Sequence, residues 1–153
     1  MFSLKGKNAV VTGAGSGIGQ AIALAFAKQG ARVDVLEINT EAAGKTVEKI
    51  RSEGGEADAV ECDVTRHDHV QEVFDKLGTD RVGLDCLVNN AGIAHVGNIT
   101  NTSEADFDRV MSVNLKGVFN CLKGGVQQML KSGGGSIVNI ASTVSTMAIN
   151  DRL

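Results

Sequence analysis

A chain of 153 residues is one domain by size, able to bury roughly 70% of its unfolded surface. Its 15 basic and 18 acidic side chains give a formal net charge of −3 with no basic run, which argues against a nucleic-acid partner. No apolar run approaches the ~18–20 residues of a membrane span, and no basic-then-apolar leader opens the chain, so no membrane association is expected. Cys62, Cys86 and Cys121 are odd in number and scattered, which reads as reduced thiols in a cytoplasmic protein, not as a disulfide framework or a metal site. Proline, tryptophan and tyrosine are absent.

A first strand is expected over 7–12. It enters Gly13-Ala14-Gly15-Ser16-Gly17-Ile18-Gly19, and a helical pattern leaves at once, with Ile18, Ala21, Ile22 and Ala25 at i, i+3, i+4 and i+7. Strand, glycine loop and helix in that order put bare N–H groups and a positive helix end where a phosphate can sit. The plainer alternative is a tight turn with spare glycines. This helix is expected over 17–29 with Gly30 as its C-cap, and a second strand over 32–37. Asn39 or Thr40 caps a helix over 41–53 whose inner face includes Ala43, Val47 and Ile50, and Gly54-Gly55 breaks it. Strand three covers 57–62 and ends in Asp63. Thr65-Arg66-His67-Asp68 reads as a capping box ahead of the stripe Val70, Val73, Phe74 and Leu77. Strand four, 84–88, runs into Asn89-Asn90-Ala91-Gly92, and a loop over 93–102 comes next. Ser103 with Asp106 marks a helix start, and Phe107, Val110, Met111 and Asn114 share a face. Val118, Leu122, Val126 and Met129 carry the apolar stripe to about Lys131. Gly133-Gly134-Gly135 ends that helix, strand five covers 136–141, and Ser142 comes directly after it.

Five strands alternating with helices predict an α/β fold: a doubly wound, Rossmann-like parallel sheet with helices on both faces and right-handed crossovers. Such sheets bind ligands outside the C-terminal strand ends. Every polar cluster falls at one of those ends: 12–19, Glu37, Asp63, 89–92 and Ser142.

With those positions laid out, the chain resembles the short-chain dehydrogenase/reductase family from end to end. Thr12-Gly13-x-x-x-Gly17-Ile18-Gly19 matches the family's glycine motif and Asn89-Asn90-Ala91-Gly92 its second motif. Asp63-Val64, Asn114 and Ser142 match three further signature positions. The resemblance covers about the first three-fifths of a typical member. The family's catalytic tyrosine lies about a dozen residues after the serine, which falls past Leu153, so a domain over 1–153 truncated after strand five is expected.

The resemblance implies a nicotinamide cofactor held by Gly13, Ser16, Gly17, Ile18 and Gly19, by Glu37 at the adenosine ribose, by Asp63 and Val64 at the adenine, and by Asn89, Ala91 and Gly92. Glu37 ends strand two 18 residues past Gly19, where a carboxylate can accept from both ribose hydroxyls. The alternative is a solvated acid. Ser16 and Ile38 stand where relatives using the phosphorylated cofactor often carry a basic residue, so NAD is expected. Asp63 can instead be a helix N-cap, and Asn90 is expected to brace the central strands. Asn114, a poor helix former in an apolar stripe, is implied to hold a bent helix and a water of the proton relay; a satisfied core asparagine is the alternative. Ser142 is implied to hydrogen-bond the reacting oxygen. His67 and His69 point to different sides of a first turn and read as a surface cap, not as metal ligands, and His95 is a candidate substrate contact.

The expected function is hydride transfer between NAD(H) and a small secondary alcohol or ketone. It is expected only in the intact chain, as a homo-oligomer (dimer or tetramer). One alternative is a nucleotide-binding or assembly module without chemistry. The other, an NAD-dependent epimerase, fits the glycine spacing less well.

Overall fold

The computed structural model describes residues 3–80 and 83–142. Five parallel strands, β1 (Asn8–Thr12), β2 (Arg32–Glu37), β3 (Glu56–Glu61), β4 (Cys86–Asn89) and β5 (Ser136–Asn139), form one sheet in the order β3-β2-β1-β4-β5. Helices α1 (Gly17–Lys28) and α2 (Thr40–Ser52) pack on one face, and α3 (His67–Asp80) and α5 (Val118–Lys131) on the other. A short α4 (Glu104–Met111) leads into α5 through a π-helical segment, Ser112–Gly117. The strand order reverses between β1 and β4, so the crevice where such sheets bind ligands opens at their C-terminal ends. This is the doubly wound α/β architecture that the pattern predicts. The part of the expected domain beyond 142 lies outside the described residues.

Alternation along the strands sorts the core into two layers. Ala9, Val11, Val33, Val35 and Val88 pack with Ala23 and Ala27 of α1 and with Ala43, Val47 and Ile50 of α2. Val10, Leu36 and Leu87 pack with Val70, Val73 and Phe74 of α3 and with Cys121 and Met129 of α5. Each large buried side chain contributes roughly 1.5–3 kcal/mol relative to exposure, which is what fixes the strand ends in place. Gly30 closes α1 as expected. It takes φ 92, its N–H reaches Ala27 O at 2.9 Å, and that of Ala31 reaches Phe26 O at 3.1 Å, the two bonds of a Schellman cap.

Three local expectations are corrected. The stripe Val118, Leu122, Val126, Met129 is only in part the buried face of α5: Met129 is buried, but Val118 and Leu122 are half-buried and Val126 is 39% exposed, whereas Cys121, Gly124, Gly125 and Gln128 are buried. Glycine is the reason. A Cβ added at Gly124 or Gly125 would lie 2.7 Å from Phe74 Cδ2 or Leu87 Cδ2, so the helix is drawn inward by its bare side. The π segment adds to this, because one extra residue rotates the rest of the helix by about 100°. The capping box at 65–68 does not form either. The Thr65 amide and hydroxyl both donate to Asp63 Oδ1, at 3.0 and 2.7 Å, and α3 starts only at His67. Nor is His67 a surface cap. It is half-buried, with Nδ1 3.0 Å from Asn120 Oδ1 and Nε2 3.4 Å from Lys123 Nζ. An ammonium only donates, so Nε2 accepts and Nδ1–H donates, and the ring bridges α3 to α5.

Candidate functional site

The turn from β1 into α1 is shaped by close backbone approaches. A Cβ on Gly13 would sit 2.8 Å from Ala91 Cα, and one on Gly19 would collide with Gly13 O and Asn90 Nδ2. Gly17 has φ 56 and open space where its side chain would be. The N–H groups of Gly13 and Ala14 donate to Leu36 O at 2.8 and 3.4 Å, which folds the loop over the end of β2. Ser16 is the N-cap residue of α1, yet its side chain caps nothing, and the first turn holds no acidic residue. Those first-turn amides and the positive helix end are therefore directed at whatever enters from solvent.

Glu37 stands beside this turn. Its Oε2 accepts from Gly15 N at 3.1 Å, and its Oε1 accepts from Ile38 N at 3.0 Å and Asn39 N at 3.2 Å. Three amides thus fix the carboxylate at the end of β2. Gly15, to which the glycine motif assigns no role, is needed for this approach: a Cβ there would lie 2.9 Å from Glu37 Oε2.

On the other side of β1, Thr12 and Asn90 form a hub. The amides of Asn90 and Ala91 both donate to Thr12 Oγ1 at 3.0 Å, and Asn90 Nδ2 donates to Thr12 O and Gly13 O, each at 3.0 Å. Asn89 is 3% exposed and donates through Nδ2 to Asn139 Oδ1 at 2.8 Å. Its Oδ1 is buried without a hydrogen-bond partner among the described residues. Ile140 N donates to Asn89 O at 2.9 Å, which ties the end of β5, and the exposed Ser142 two residues on, to the end of β4.

Asn114 is not a core asparagine. It lies exposed in the π segment, with Oδ1 accepting from Ile93 N and Nδ2 donating to Ile93 O, both at 2.9 Å. The amide clamps the segment after Gly92 against the helix, which accounts for a poor helix former at that place.

A cleft of about 510 Å³ runs across these strand ends. Gly13, Ser16, Gly17, Ile18, Glu37, Asp63, Val64, Ala91 and Gly92 line it, joined by Ile38 and Asn90 and by residues to which the sequence pattern assigns no part in the site: Cys62, Thr65, Ile93 and Val113. Gly19 lies behind its wall. Asn89, Asn114 and Ser142 are not in its lining. A dinucleotide fits this set. On the glycine side the first turn of α1 is open, with nothing within 4 Å of a Cβ built at Gly17, and the Glu37 carboxylate borders the same cleft from β2. His95 sits apart, with Nδ1 3.9 Å from Asp106 Oδ1. Burial pushes the Cys62 and Cys121 thiols up to about 12, so neither offers a thiolate.

The sequence profile of the short chain dehydrogenase family matches residues 7–152. The chain is 45% identical over 151 residues to an uncharacterized oxidoreductase of Thermotoga maritima, covering 99% of this chain and 59% of that one. It is 38% identical over 152 residues to D-threitol dehydrogenase of Mycolicibacterium smegmatis, covering 99% and 58%. A crystal structure from Beutenbergia cavernae, described as an NAD(P)-dependent gluconate 5-dehydrogenase with NADP bound at low occupancy, matches with a TM-score of 0.91 at 37% identity, covering 98% and 59%. The chain spans about three-fifths of the length of these relatives.

Proposed function

This chain belongs to the short chain dehydrogenase family, and from that premise we propose that its cleft binds NAD(H) and that the intact protein moves hydride between the nicotinamide and a secondary alcohol or ketone. The observation that carries the reading is Glu37, whose carboxylate three amides hold beside the open first turn of α1. An adenosine ribose with free hydroxyls satisfies it. A 2′-phosphate there would set like charges about 4 Å apart, at roughly 4 kcal/mol per pair for an effective dielectric near 20. Ser16 and Ile38 supply no compensating cation.

In this reading the first-turn amides of Gly17, Ile18 and Gly19 receive the pyrophosphate, and Asp63 with Val64 lines the adenine. Asn89, Ala91 and Gly92 bound the ribose nearer the chemistry. Bound nicotinamide supplies the hydride carrier. Ser142 hydrogen-bonds the substrate oxygen, and Asn114 positions the Gly92–Ile93 backbone while its remaining amide capacity serves the proton relay. D-threitol dehydrogenase and the gluconate 5-dehydrogenase are named for polyhydroxylated substrates, which supports a secondary alcohol as the substrate class. No helix among the described residues is long and apolar enough to cross a membrane, and a cytoplasmic homo-oligomer is the form proposed. Phe107, Met111, Leu115 and Phe119, 55, 37, 60 and 59% exposed along one continuous helix, support self-association.

The alternative reading is a nucleotide-binding module without chemistry. The test monitors NADH absorbance with the intact protein over a panel of secondary alcohols and polyols. NAD-dependent turnover is expected, and NAD binding without turnover on any of them would select the second reading.

A further inference from the structure

A glycine-rich loop can present its amides to a ligand only if its peptide planes are held, because without Cβ atoms they flip at little cost. Amides facing outward require carbonyls facing inward, and inward carbonyls must be paired. The amide side of the loop is accounted for by Leu36 O and Glu37 Oε2. Its carbonyl side leads to a residue that the glycine motif does not contain.

Thr46, on the inner face of α2, is fully buried. Its Oγ1 lies 3.0 Å from Ala14 O and 3.4 Å from Gly15 O, and 3.3 Å from Ala42 O of its own helix. A hydroxyl has one proton to give. A helical threonine ordinarily gives it to the carbonyl four residues back, yet here the shortest contact is to the loop. Gln20, in the first turns of α1, donates from Nε2 into Thr46 Oγ1 at 2.8 Å and lies 3.4 Å from Gly15 O. That donation occupies an oxygen lone pair and leaves the hydroxyl proton for Ala14 O. Gln20 and Thr46 thus form a chain of donors that ends on Ala14 O in the floor of the loop.

We propose that Thr46, supported by Gln20, is a positioning residue for phosphate binding. Its hydroxyl holds the Ala14–Gly15 peptides with their carbonyls inward, so that the amides after them face the cleft. The proposal rests on reading the cleft as a nucleotide site. It goes beyond that reading in assigning α2, which touches none of the phosphates, a share of the affinity for them.

The experiment titrates NAD and ADP by calorimetry, and adenosine by ligand-observed NMR, against the full chain and its Thr46→Val and Thr46→Ser variants. Valine keeps the shape and removes the hydroxyl. Thr46→Val is expected to weaken NAD and ADP roughly tenfold or more while adenosine changes less than about twofold, and Thr46→Ser to recover most of the loss. Equal weakening of all three ligands would mean a merely structural role and would overturn the proposal, as would wild-type NAD affinity in Thr46→Val or no recovery in Thr46→Ser. Should Thr46→Val not fold, Gln20→Met removes the donor into Thr46 from a half-exposed position and is expected to show the same phosphate-selective loss in weaker form; its absence would overturn the proposal. A wild-type chain that binds neither NAD nor ADP would defeat the nucleotide reading itself, an outcome distinct from failure of the variants alone.

Discussion

Two serines begin two helices in this molecule, and they do opposite things. Ser103, ahead of α4, accepts Asp106 N at 3.1 Å and donates to Asp106 Oδ2 at 2.6 Å, and the first turn behind it carries Glu104 and Asp106. The positive end of α4 is spent on the protein's own groups. Ser16, ahead of α1, is just as extended, but its side chain caps nothing and no acid stands in the turn after it. A helix start that its own sequence leaves unsatisfied, beside a carboxylate fixed by three amides, is what the proposed dinucleotide calls for, a partner that brings both phosphate and hydroxyls.

The most severe way to break the open end is Gly19→Val. Its side chain would meet Gly13 O and Asn90 Nδ2, and NAD affinity should fall by roughly a hundredfold or more, with a measurable loss of stability. Calorimetry on the folded variant checks it. Unchanged affinity would reduce the loop to a turn.

A finer cut converts one helix start into the other. Ile18 is 64% exposed in the first turn of α1, so Ile18→Asp supplies the acid that α4 has and α1 lacks. Stability should rise by about 0.3–1 kcal/mol while NAD binding weakens roughly tenfold, because the new carboxylate takes the ground of the phosphate. Opposite signs in urea melts and NAD titrations are the signature. Ser103→Ala should then cost about 1 kcal/mol, and Ser16→Ala only a few tenths, in paired urea melts.

A modest effect, on stability alone, lies at the opposite end of the sheet. There Asp85 accepts from Lys7 Nζ at 2.8 Å and from Asn8 N at 2.9 Å. Burial pushes its carboxyl up, but the Lys7 ammonium and the Asn8 amide outweigh that and hold it below the usual carboxylate range. A lowered folded value stabilises above the unfolded pKa near 3.9, and that gain is lost as pH falls through the folded value. Because the pair is partly solvated, Asp85→Asn should cost no more than about 1 kcal/mol at pH 7 and less at pH 3, read from urea melts at both.

The features legible in the sequence share one property: their signal is local. The glycine spacing of 13–19, the carboxylate ending β2 and the Ser103–Asp106 pair each declare themselves within a few residues. What stayed hidden depends on contacts distant in the chain. The buried side of α5 is marked by Gly124 and Gly125, whose meaning appears only once Phe74 and Leu87 press on them. Asn114 stands out in the sequence as a poor helix former, but its hold on the Ile93 backbone shows only in the fold. Thr46 belongs to the same inner stripe as Ala43, Val47 and Ile50, and a hydroxyl in an apolar stripe was the one signal available to find it.

The central claim is that the open start of α1 and the fixed carboxylate of Glu37 together select a dinucleotide with free ribose hydroxyls. The most direct measurement is a calorimetric titration of NAD and NADP against the unmodified protein and against Glu37→Ala, a method suited to a chain with no tryptophan or tyrosine. NAD should bind at least about tenfold more tightly than NADP, with Glu37→Ala weakening NAD and narrowing the gap. Equal affinities in the unmodified protein, or tighter binding of NADP, would contradict the account.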